Sequence, residues 1–148
     1  MERRIDQMFE TTDGRRLYKA ETSTHHLIFE RRDYQTPTEK KFRNMGGLVM
    51  RLSNHAHREL HANVPPPPKP NPNLMRDIYL YSRSRDYDTA YSLAAQITCY
   101  VGQIALNSHN EQNAEDATAL FDNLIQQAVY IEEGQLKYIG EQHGKLTA

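Results

Sequence analysis

His57 and His61 stand four residues apart in the stretch Ser53-Asn54-His55-Ala56-His57-Arg58-Glu59-Leu60-His61. If that stretch is helical, the two imidazoles lie one above the other on one face, a turn apart. Two rings so placed can share one divalent ion. A second pair, His25-His26, lies upstream, so five of the chain's seven histidines fall between Thr24 and His61. Neighbouring residues of a strand point to opposite faces. At a twisted strand end, one member of His25-His26 can ligate a metal while the other faces the substrate. Imidazole also titrates near neutrality, which suits it to general-base work. His55 leaves an alternative open: it either replaces His57 as a ligand or points to solvent.

These groups need elements to hold them. Arg16–Lys19 and His26–Phe29 read as short strands or extended segments. Thr36-Pro37 opens a helix, because proline suits a first turn, and Gly46-Gly47 ends it with a turn. Leu48–Leu52 is strand-like, and Ser53 or Asn54 can cap a helix from His55 to about Ala62. The run Val64–Pro72 has six prolines in nine residues, which forbids helix and predicts a stiff extended spacer. A docking motif for an SH3-like partner is the alternative reading of that run. Beyond it, Asn73 is a candidate cap for a helix through Leu74, Ile78 and Tyr81, and Asp88 or Thr89 for a second. The second helix carries Ala90, Ala94, Ile97, Val101 and Ile104 on one stripe. A last helix is expected from Asn113 to Gln142 on the spacing of Ala117, Leu120, Leu124, Ala128 and Ile131.

The order of a His-His pair on a strand, a loop, a second strand and a helix bearing HxxxH resembles the HNH, or ββα-metal, endonuclease family. The resemblance covers residues 22–63. It implies that His25, His57 and His61 ligate a metal and that His26 is the general base. It also implies that Asn44 orients that base. Three neutral imidazoles leave a coordination position open, and they suit Zn²⁺, Mn²⁺ or Ni²⁺ ahead of Mg²⁺. Arg31, Arg32, Lys40, Lys41, Arg43 and Arg51 are the candidate contacts to a DNA backbone. Glu30 and Asp33 are candidate acceptors for an imidazole N–H. The function implied is metal-dependent hydrolysis of DNA, in the manner of small phage or actinobacterial proteins. The alternative is a catalytically inactive HNH-like module that binds DNA or a host protein.

The bulk numbers are compatible with that reading. The chain has 148 residues, 38% of them hydrophobic, and a mean hydropathy of −0.81, which favours modules over one large core. The expected fold class is α+β. An HNH-like module with an N-terminal extension occupies 1–63, a proline-rich linker 64–73, and a helical hairpin or bundle 74–148. The helices form a possible homodimer face, because a few lone helices bury little by themselves. Residues 1–63 carry twelve Lys/Arg against nine Asp/Glu, whereas 64–148 carry six against ten, so the histidines sit in the basic part. No apolar run reaches membrane-spanning length, and no apolar stretch follows the basic N-terminal residues to make a signal peptide. A lone cysteine, Cys99, excludes an intrachain disulfide and a cysteine-rich zinc site, and points to a reducing compartment such as a bacterial or phage-infected cytoplasm. Cys99 is expected to be buried in mid-helix. Tyr79, Tyr81, Tyr87, Tyr91 and Tyr100 are expected to pack between helices.

Overall fold

The computed structural model describes residues 3–30, 36–46 and 48–145. The chain is mixed α+β. Strand β1 (Arg3–Thr11) turns back into β2 (Arg16–Tyr18). Gly14 makes that turn at φ +86°, a conformation that costs a residue without a Cβ little. A 3₁₀ turn at Lys19–Glu21 leads into β3 (Thr22–His26). Helix α1 (Pro37–Gly46) follows, with Pro37 in its first turn. Then come β4 (Val49–Ser53) and α2 (Asn54–Asn63).

Strands β3 and β4 pair antiparallel, with His25 opposite Met50 and His26 opposite Val49. The Ser53 side chain caps α2 by accepting from Ala56 N, and the prolines that follow Val64 prevent its continuation. Strand, strand and helix are therefore consecutive in space as in sequence.

The proline run packs against the protein. Val64, Pro67 and Pro70 are buried, and the Asn123 side chain donates to the Pro65 carbonyl at 2.9 Å. Lys69 reaches Glu39 of α1 at 2.7 Å. The run is thus a strap laid along the surface rather than a free spacer. Three helices follow: α3 (Pro72–Arg83), α4 (Ala90–Asn107) and α5 (Glu111–Gly134). Their caps are Asn71, Thr89 and Asn110. Asn71 stands where Asn73 was expected, because Pro72 itself takes the first helical position.

The segment after Gly134 departs from expectation. It is a strand, β5 (Leu136–Lys145), and not the end of a helix running to Gln142. It pairs antiparallel with β1 to complete a three-stranded sheet of order β2-β1-β5. The register slips at Met8/Phe9, close to Gly140 at φ +108°. A single bridge, Leu52 to Gln135, links β4 to the start of this strand. β1 and β5 pair from opposite ends of the chain, a pairing that local periodicity cannot display.

One buried cluster takes residues from both sides of the strap. Leu27, Ile28, Phe29, Met50, Leu52 and Leu60 meet Leu74, Ile78, Ile97, Val101, Leu120, Leu124 and Ile131. Cys99 lies outside it, exposed on α4, because the buried stripe of that helix runs through Ala94, Ile97 and Val101. Tyr79 is buried, and Tyr81 stacks on Tyr100 with ring centroids 3.9 Å apart.

Candidate metal centre

The site begins with the register of two short elements. In β3, alternation sends His25 inward, and only 2% of it is exposed. In α2, Ala56 and Leu60 face the core. His57 and His61, one position on from each, form the adjoining stripe and face β3. The ring centroids lie 5.2 Å apart for His25–His57, 5.8 Å for His25–His61 and 4.5 Å for His57–His61. Among the described residues, these three form a group whose ligand atoms all lie within 4.8 Å of one another. They are close enough to hold a metal ion.

The donor set fits such an ion. The Nε2 atoms of His57 and His61 are 2.9 Å apart, somewhat less than the roughly 3.3 Å edge of a tetrahedral site with bonds of about 2.05 Å. A small ring rotation spans the difference. His25 supplies the stronger observation. Its Nε2 lies 2.8 Å from Gln127 Oε1, while its Nδ1 is buried with no hydrogen-bond partner. A buried polar atom left unpaired is costly, and a metal ion is one group that would satisfy it.

Electrostatics favour the ligand form of His25 and His57. Burial pushes the His25 pKa down from 6.5 to about 4. The hydrogen bond to Gln127 opposes that shift, and the neighbouring His57, His61 and His26 reinforce it. His57 is lowered as well, first by burial and then by His61 and His26. Neutral imidazole is the form that binds metal.

His26 lines the same open cleft, of about 330 Å³, together with the three clustered histidines, Thr24, Glu30 and Pro66. The cleft wall grades from buried His25 through half-buried His57 to exposed His61. A ligand held there would be reachable from solvent.

The remaining expectations are met unevenly. His55 is exposed and apart from the cluster, so the α2 pair is His57 and His61. Asn44 lies in α1, five residues before β4, and not at the start of the second strand; its side chain is outside the described set. Lys40 and Lys41 are exposed on α1. Arg51 is committed within the fold. It donates to Thr22 Oγ1 at 2.9 Å and Thr24 Oγ1 at 3.4 Å, and its guanidinium lies 5.5 Å from the centre of the Phe9 ring. Arg31, Arg32 and Asp33 fall outside the described residues, as does the side chain of Arg43.

The sequence reading missed Asn123 and Gln127. Both are buried polar residues on the apolar stripe of α5, four positions apart, among Leu120, Leu124 and Ile131. An amide pair at core positions of an amphipathic helix was the available signal. No helix among the described residues is long and apolar enough to cross a membrane. Neither family models, nor curated proteins, nor solved structures match the chain.

Proposed function

We propose that this protein is a metal-dependent endonuclease that hydrolyses DNA phosphodiester bonds. The observation that carries the reading is the convergence of His25, His57 and His61 beside a fourth imidazole, His26, in one open cleft. The strand–strand–helix order of β3, β4 and α2 supports the resemblance to HNH nucleases.

His25, His57 and His61 would hold a Zn²⁺, Mn²⁺ or Ni²⁺ ion. When bound, it would stabilise charge on the scissile phosphate and the leaving oxygen. His26 would take a proton from the attacking water. Lys40 and Lys41 of α1 would meet the DNA backbone without reading its bases.

A second reading has an observation in its favour. Asn44 stands in α1 and not at the head of β4, where the HNH pattern carries the residue that orients the base. That position suits a non-catalytic module that binds DNA or a host protein. Plasmid nicking with Mn²⁺, Ni²⁺ or Mg²⁺ separates the two readings. The nuclease reading expects nicking that His26→Ala abolishes while the metal stays bound. Full metal occupancy with no nicking by the unmodified protein would leave only the binding module.

A further inference from the structure

Three buried polar side chains form a chain of hydrogen bonds from the strap to the metal centre. Asn123 Nδ2 donates to the Pro65 carbonyl at 2.9 Å. Gln127 Nε2 donates to the Leu27 carbonyl at 3.1 Å and to Asn123 Oδ1 at 2.7 Å. Gln127 Oε1 then faces His25 Nε2 at 2.8 Å. Asn123, Gln127 and His25 are 4%, 1% and 2% exposed, so bulk water does not reach these contacts.

The two backbone carbonyls decide every orientation in the chain. A carbonyl oxygen only accepts. The group against Pro65 O must therefore be the Asn123 NH₂, and the group against Leu27 O the Gln127 NH₂. Turning the Gln127 amide over would set its oxygen against both Leu27 O and Asn123 Oδ1, three acceptors with no proton among them. Gln127 Oε1 is thus left as the acceptor towards His25. An amide oxygen cannot donate, so His25 Nε2 carries the ring proton. In a neutral imidazole the lone pair is then on Nδ1, the atom that is buried and unpartnered.

We propose that Gln127 is a positioning residue that fixes the tautomer and ring orientation of His25, so that Nδ1 is the nitrogen presented to the metal. The ligand comes from β3, but the group that sets it comes from α5, on the other side of the strap. The inference rests on reading the three imidazoles as a metal centre, although its spectroscopic test does not.

The experiment uses the full chain, labelled with ¹⁵N and stripped of metal by a chelator. Long-range ¹H–¹⁵N correlations report which His25 nitrogen is protonated. A competition titration with Zn²⁺ reports affinity. The unmodified protein is expected to show a single Nε2–H tautomer. Gln127→Met has similar length but no strong acceptor, and it should mix the tautomers and weaken Zn²⁺ binding 10- to 100-fold. Gln127→Glu keeps an acceptor towards His25, and a proton held by burial on its other oxygen would replace the donor to Leu27 O or Asn123 Oδ1. The folded variant should then keep the tautomer and bind Zn²⁺ no worse than about threefold below the unmodified protein. A proton on Nδ1 of the unmodified protein would overturn the proposal. So would a folded Gln127→Met variant with tautomer and affinity unchanged. Should either variant fail to fold, the tautomer of the unmodified chain still decides. Should Zn²⁺ not bind at all while the Nε2–H tautomer is found, the metal reading falls and the positioning role stands.

Discussion

Gly134, the last residue of α5, faces Ala56 of α2 so closely that a Cβ added to it would overlap the Ala56 methyl group. Leu52 of β4 closes the other side. The helix that carries His57 and His61 is therefore seated against a bare stretch of backbone. Gly134→Ala should destabilise the protein by about 1–3 kcal/mol, because the neighbours are packed core and cannot yield cheaply. Urea denaturation measures the loss. A stability within error of the unmodified protein would mean that α2 is not held at this point.

The metal centre predicts a sharp division among the histidines. Replacing His25, His57 or His61 by alanine should remove tight Zn²⁺ or Mn²⁺ binding, whereas His55→Ala should leave it intact. Elemental analysis of purified variants, with isothermal titration, checks the division. An ion that binds only the folded protein, in excess of about 100 times its dissociation constant, should stabilise the fold by roughly 2.7 kcal/mol. A chelator should lower the melting temperature of the loaded protein correspondingly. Equal melting temperatures with and without metal would count against a shared site.

The stability of the metal-free protein should fall as the solution is acidified from about pH 6.5 to about pH 4. The His25 pKa is lowered on folding to about 4 by burial. Over that interval the unfolded chain takes up a proton that the folded chain refuses, so unfolding is favoured as pH drops. The stabilisation is present above the unfolded value and is spent once pH reaches the folded one. Its size is on the order of 3 kcal/mol. Denaturation curves at several pH values in the presence of chelator measure it, and a His25→Asn variant should lose most of this slope.

Arg51 and the lysines of α1 should behave differently towards DNA. Arg51 is already engaged by Thr22, Thr24 and Phe9. Lys40→Ala or Lys41→Ala should each reduce the dependence of log affinity on log salt by about one phosphate contact. Arg51→Ala should leave that slope unchanged and cost folding stability instead. Fluorescence anisotropy over a salt series distinguishes them, and a flatter slope for Arg51→Ala would assign that residue to the DNA surface.

Much of the local structure was legible before the coordinates. The serine before the histidine run, the proline in the first turn of α1 and the threonine cap of α4 act over three or four residues, and sequence displays such signals directly; the asparagine caps fall at Asn71 and Asn110, and not at Asn73. The order of the strand bearing His25-His26, the strand before α2 and α2 itself was legible, although helix α1 lies between the two strands. Contacts closed over long distances were not. Strand β1 meets β5 across almost the whole chain, and nothing in Leu136-Lys137-Tyr138-Ile139 says that a helix has ended. Low hydropathy suggested separate modules, but the cluster joins Leu27 and Met50 to Leu120 and Ile131. The four imidazoles of the cleft were drawn together by sequence order; the amide pair behind them was hidden, because polar residues on a helix read as surface until their partners are known.

The hydrogen bond from Asn123 to the Pro65 carbonyl changes what the proline strap means for protein engineering. Cutting the gene there looks safe, since every imidazole of the cleft lies upstream of the strap. A chimera made at that seam would keep the imidazoles and lose the amides behind His25. It would inherit the ingredients of the site without the grip that aims them, and the heritable unit is therefore the whole chain.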